Sequence, residues 1–173
     1  MDHNYTVTIT ICILSMITLS IDVGKNTILN KSDIKWFRTS FIFAAIGAIC
    51  EYLGVLFDKT GCAPQKIHWL VTYIEFCISP FLAILLARSC GMKRTTKPMV
   101  IVMILNVILQ TISLLNGKIF SIDENSLFQR GEEYWLYVFF CALSFLYILF
   151  VFVLIAIRAK LRNIICIILI ASI

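Results

Sequence analysis

Five stretches of this chain are almost unbroken apolar runs, covering residues 5–23, 37–57, 68–87, 98–116 and 134–157. Each is close to the roughly 20 residues that cross about 30 Å of hydrocarbon at about 1.5 Å rise per residue. The pattern predicts five membrane-spanning helices. A sixth run starts after Arg162 and reaches Ile173. It would rise only about 16 Å, so it is read as a partial sixth span within which the chain is cut off.

The connections between runs carry the charge, and they share it unequally. Lys25, Lys31, Lys35 and Arg38 fall in the first connection, Arg88, Lys93, Arg94 and Lys97 in the third, and Arg158, Lys160 and Arg162 in the fifth. The second holds only Lys59 and Lys66, and the fourth only Lys118 and Arg130. Lys and Arg near span ends are retained on the cytoplasmic side, so the odd connections are expected inside and the N-terminus outside. The first run is longer than a signal-peptide core and is followed, not preceded, by Lys25, which argues against a cleaved signal peptide.

Against this apolar background, polar residues inside the runs stand out, because a charge in hydrocarbon is costly and usually faces protein or water. Glu51 lies seven residues before Asp58, at the outer end of the second run, and Glu75 seven residues after His68, at the outer end of the third. Both are therefore expected about 10 Å below the outer surface. Glu51 shares a stripe with Ala44, Gly47 and Gly54, whose small side chains permit close helix contact and predict that it points into the bundle. Glu75 shares a face with Thr72, Ser79 and Ala83; in the fourth run Asn106, Gln110 and Ser113 align, and in the fifth Tyr137, Cys141 and Ser144. Four helices thus contribute to one polar layer near the outside, with Glu51, Glu75, Asn106 and Gln110 as the candidate ligand-binding residues. Two roles stay open for the carboxyls: neutral groups that hydrogen-bond neighbouring helices, or a ligand or proton site. A paired-carboxylate hydrolase would need a substrate geometry that spacing does not supply.

Pro80 falls in mid-run, where it removes one backbone hydrogen bond and predicts a bend just inward of Glu75. Gly61 and Pro64 make the second connection a tight turn. In the fourth, residues 118–122 alternate, Asp123, Glu124 and Asn125 supply turn chemistry, and residues 126–129 return, which predicts a short extracellular β-hairpin over the bundle. Asp123 to Asn125 lacks the later Gly and Glu of a calcium loop. Trp69, Tyr73, Tyr134, Trp135 and Tyr137 gather at outer run ends, as an aromatic interface belt would.

Composition adds little that the pattern does not already give. Apolar residues make up 60% of the chain and its mean hydropathy is +0.93, beyond what a soluble exterior allows. The net charge of +5 suits inner loops meeting anionic headgroups, and no nucleic-acid partner is expected. Five of the seven cysteines lie within apolar runs and no C-x-x-C pair occurs, so the cysteines read as small packing groups. His3 and His68 sit at run ends, and neither a metal site nor a cofactor is expected. The sequence holds no phosphate-cradling glycine loop, no G-x-S-x-G elbow and no H-E-x-x-H pair. Glu132 and Glu133 are adjacent glutamates like those of some intramembrane proteases, but they lie at the surface, with Tyr137 where such a motif wants arginine.

The layout, together with Gly117, Lys118, Ile119, Phe120, Ser121, Ile122 and Asp123, then Phe128, Gln129, Arg130, Gly131 and Tyr134, resembles a known group. It is similar to the N-terminal multi-helix sensor modules, or seven-transmembrane input regions, of bacterial GGDEF-type diguanylate cyclases and histidine kinases. The resemblance implies an outside N-terminus, a short outer hairpin before the fifth span, and a last span leading to a cytoplasmic output domain. The chain has no Gly-Gly-[Asp/Glu]-Glu-Phe signature, no kinase histidine box and no nucleotide site, so no catalytic residue carries over.

The sequence therefore predicts an all-α, polytopic transmembrane bundle forming one sensor-like domain over residues 1–173, whose complete form would have seven spans. Its expected role is sensory input in a bacterial cell membrane, without catalysis of its own. Membrane lipids, a small extracellular or lipidic ligand and a second copy of the chain are the expected partners. The rival expectation is a small transporter or channel subunit that uses Glu51 and Glu75 for substrate or protons.

Overall fold

A computed structural model describes residues 3–61, 63–92 and 96–158; the expected partial sixth span lies outside the described residues. Among the described residues, five helices are long and apolar enough to cross a membrane: α1 (His3–Gly24), α2 (Lys31–Thr60), α3 (Gln65–Ser89), α4 (Thr96–Asn116) and α5 (Tyr134–Arg158). Between α4 and α5, β1 (Phe120–Ile122) and β2 (Phe128–Arg130) form an antiparallel hairpin in which Phe120 faces Arg130, Ser121 faces Gln129 and Ile122 faces Phe128. The hairpin expected from sequence is present, with its return strand two residues later because Asp123 closes a longer turn. Asp123 Oδ1 accepts from the Leu127 amide at 2.8 Å, and the Ser126 amide donates to the Asp123 carbonyl at 3.0 Å.

Cross-helix pairs fix the directions. Tyr5 meets Glu51 and Gly24 meets Arg38, so α1 and α2 are antiparallel. Ser40 meets Ser89 and Asp58 meets His68, so α2 and α3 are antiparallel too. Tyr73 pairs with Thr111 while Ile84 packs on Met99 and Met103, which sets α4 against α3 in the same way. Phe76 on Tyr137 and Ala87 near Val151 make α5 parallel to α3.

The third helix is the centre of the bundle: it packs on α2, α4, α5 and β1, and it carries the longest set of buried residues. The other helices leave rows of large apolar side chains exposed, such as Ile101, Ile104 and Ile108 on α4 and Phe145, Leu146 and Phe150 on α5. A continuous apolar exterior of this kind is what lipid contact requires. Only Trp135 of the five outer aromatics is exposed as a belt residue would be. Tyr73, Tyr134 and Tyr137 instead pack around Phe76 beneath the hairpin, and Trp69 lies edge-on to Phe120. Phe120, wholly buried, together with Phe128, brings aromatic surface down from the hairpin that those residues cover.

Two glycines let the chain turn there. Gly117 ends α4 at φ 66°, a left-handed conformation that side chains resist. Gly131 lies against the carbonyl of Lys118, where a Cβ would collide with backbone. Any larger residue would push the start of α5 off the hairpin.

Pro80 is buried within a helix that continues through it. Lacking an N–H, it deprives the carbonyl four residues back, that of Phe76, of its helical donor. The Asn106 amide of α4 takes that place, donating to Phe76 O at 3.2 Å, and the Gln110 amide donates to Asn106 Oδ1 at 3.3 Å. Interhelical polar contacts of this sort are worth about 1 kcal/mol in a bilayer. Replacing Asn106 by Ala should therefore destabilise the bundle by about 1 kcal/mol in the parent chain and by less than half of that alongside Pro80→Ala, which restores the donor. Equilibrium unfolding in mixed micelles measures the cycle; equal costs in both backgrounds would disprove the pairing.

Candidate functional site

Seven residues are close to two full helical turns, so Glu51 and Asp58 project from one face of α2, and His68 and Glu75 from one face of α3. Because the helices run antiparallel, the two faces meet as a ladder. Asp58 and His68 form the rung nearest the hairpin, with Asp58 Oδ1 and His68 Nε2 3.9 Å apart. Glu51 and Glu75 form a second rung about 10 Å deeper. Between them lies a cavity of about 150 Å³, which Phe128 and Tyr134 help to line at the hairpin end.

Gly54 and Thr72 occupy the middle of the ladder. A Cβ on Gly54 would come within 3.9 Å of a Glu75 carboxylate oxygen, so the missing side chain leaves the space that this carboxyl faces. Gly47, on the same stripe, lies close to Ile78 of α3, in keeping with close packing of small residues. Glu51 departs from the expectation that it points into the bundle: it is exposed, at the cavity rim, and accepts a hydrogen bond from the Tyr5 hydroxyl of α1 at 3.4 Å. Its long side chain carries the carboxylate beyond the stripe that its Cα occupies. Glu75 is half-buried inside.

Asn106 and Gln110 do not line this cavity. Both are completely buried and belong to the α3–α4 contact around the Phe76 carbonyl, on the other side of α3 from α2. The four candidate ligand-binding residues, expected in a single polar layer, thus divide into two systems separated by α3. One is a packing network, the other a cavity with three carboxylates, Glu51, Asp58 and Glu75, and no Lys or Arg in its lining.

Asp58 and His68 served in the sequence only to mark run ends, yet they anchor the hairpin. The Ser126 carbonyl lies 2.8 Å from His68 Nδ1; because a carbonyl only accepts, Nδ1 must carry the proton, which leaves Nε2 towards Asp58. Asp58 Oδ1 also accepts from the Phe128 amide at 2.7 Å. Ser126 is held at φ 61°, a left-handed conformation unusual for serine. Gln65 donates to the Ile122 carbonyl at 2.7 Å, and the Ser113 hydroxyl accepts from the amides of Ile119 and Phe120 at 3.0 and 3.2 Å. The signal available beforehand was the matched seven-residue spacing of two acid-bearing faces.

Chemically, the cavity suits a small cation. Two carboxylates facing one confined space repel each other, and a positive charge between them relieves that repulsion. The aromatic rings of Phe76, Phe128 and Tyr134 add faces on which a cation rests favourably, and Arg130 already lies over the Tyr134 ring at 5.0 Å. Drug-sized ligands need pockets of about 300–1,000 Å³, so the occupant is small. Among the described residues no group of His, Cys, Asp and Glu has the arrangement of a metal site.

No family model, curated protein or solved structure matches the chain. Chemistry and geometry alone therefore carry the functional argument. Replacing Asp58 by Ala removes the acceptor of the Phe128 amide, and hydrogen exchange at residues 127–130 should then quicken by about ten- to a hundredfold, as expected for a charged acceptor worth about 1.5–3 kcal/mol. Amides of α4 should not change; unaltered exchange in the hairpin would show that Asp58 does not hold it.

Proposed function

We propose that this chain is a membrane-embedded sensory input module whose hairpin end faces the outside and whose cavity between α2 and α3 receives a small organic cation. The observation that carries this is the pair Glu51 and Glu75 on one cavity, bordered by a hairpin tied to the same two helices through Asp58 and His68. Orientation follows from the charge distribution: Lys25, Lys31, Lys35, Arg38, Arg88 and Lys97 collect at the end opposite the hairpin.

A cation that enters between the carboxylates draws α2 and α3 together or lets them part, according to which spacing it fits better. Such a ligand shifts the bundle only through different affinities for two arrangements of the helices. Since α3 packs on α2, α4 and α5, a change in its position reaches the opposite end of all three. The output protein to which such a module would report, a diguanylate cyclase or histidine kinase, is inferred from the resemblance of layout and hairpin.

A transporter would use the same carboxylates, and it is favoured by Pro80 in the helix that carries Glu75. Against it, α3 runs unbroken through Pro80, with the freed carbonyl bonded to Asn106 rather than open to a substrate.

Titration calorimetry of protein in lipid nanodiscs with methylammonium, guanidinium and choline tests the site. Saturable binding of at least one cation is expected, with affinity falling at least tenfold in both Glu51→Gln and Glu75→Gln, and unchanged in Asn106→Ala. Absence of binding by the parent chain would refute a cation site. Uptake of the bound cation by proteoliposomes would favour the transporter instead.

A further inference from the structure

At the end opposite the hairpin, a groove of about 690 Å³ lies between the last residue of α1, the link that follows it and the first turns of α2. Lys31, Lys35 and Arg38 line it at spacings of four and three, so they stand on one face of α2. Neither acid of this region, Asp22 nor Asp33, lines the groove. Among the described residues Lys118 pairs with Glu133 and Asp58 lies near His68, both at the hairpin end, so neither contact neutralises the three cations of the groove. Gly24 shapes the corner: its missing Cβ would approach Arg38 Cδ at 3.3 Å, so the arginine stem lies across the end of α1.

The same face continues beyond the charges. Ile42, Ile46 and Ile49 follow Arg38 at spacings of four, four and three, and all three are exposed, at 45%, 38% and 40%. From Arg38 to Ile49 the helix rises about 16 Å, the thickness of one leaflet's hydrocarbon. In the link, Ile28 is 92% exposed beside Leu29, placing aliphatic surface at the level of the lysines. A cationic cluster at the boundary followed by an aliphatic stripe one leaflet long is complementary to an anionic phospholipid, phosphate above and acyl chain below.

We propose that this face of α2 is a binding site for one anionic glycerophospholipid, its phosphate held by Lys31, Lys35 and Arg38 and an acyl chain lying along Ile42, Ile46 and Ile49. The site is separate from the carboxylate cavity and stands whether or not that cavity binds a cation.

The test is native mass spectrometry of the full chain released from nanodiscs of equimolar phosphatidylglycerol and phosphatidylcholine. The parent chain should retain one phosphatidylglycerol in preference to phosphatidylcholine. Lys35→Gln with Arg38→Gln should reduce that preference by about fivefold for each charge removed. Lys59→Gln with Lys66→Gln, an equal charge change at the hairpin end, should leave it intact. Equal retention of the two lipids by the parent chain, or an equal effect of both double variants, would overturn the proposal. Displacement of the lipid by millimolar glycerol 3-phosphate would reassign the groove to soluble phosphate and overturn the lipid site.

Discussion

One backbone carbonyl organises the middle of this bundle. Pro80 leaves Phe76 O without its helical donor, and away from water such an acceptor is costly unless another group reaches it. Asn106 reaches it, and that requirement fixes how deep and how rotated α4 must sit against α3. The side chain of the same residue does equivalent work on the other elements. Its ring stacks on Tyr137 with centroids 3.8 Å apart and meets Phe120 and Phe128 edge-on, which places α5 and the hairpin. Glu75, one residue earlier, points at α2. Residues 75 and 76 therefore connect α3 to each element packed upon it.

Asn106 of α4 donates to α3 and Gln110 donates to Asn106 within α4, so these amides serve the α3–α4 contact and the acidic face of α2 and α3 is left as the cavity with charge to satisfy. The hairpin then acts as a fixed cap. It is held by side chains of α2, α3 and α4 and by a fully buried phenylalanine, so its position reports the relative placement of the helix ends beneath it. A small cation between Glu51 and Glu75 would act at the point from which that placement is set.

Much of the fold was legible because each of the five apolar runs has the length that hydrocarbon thickness sets for a spanning helix, and each lies within one helix of the structure. The boundaries were less so: α2 begins at Lys31 although its apolar run begins at residue 37, since hydropathy registers the apolar part of a helix and not the helical turns bearing Lys31, Asp33 and Lys35. Depth along a helix could be counted, which is why Glu51 and Glu75 fell on one level. Rotation could not: Asn106 and Gln110 match that level but face the far side of α3. The clue was present in Pro80, whose orphaned acceptor four residues back calls for a donor from a neighbouring helix. Asp58 and His68 were hidden because a charged residue at a span end ordinarily needs no explanation beyond solvation.

The division of polar residues into a solvent-reached cavity and a sealed packing network is the claim on which the function rests. It is tested most directly by single cysteines at positions 51, 75, 106 and 110, in a chain whose native cysteines are replaced, reacted in proteoliposomes with a charged, membrane-impermeant thiol reagent. Positions 51 and 75 should react from the side of the hairpin, with 106 and 110 protected. Protection of 51 and 75, or reaction at 106 and 110 as fast as theirs, would contradict it.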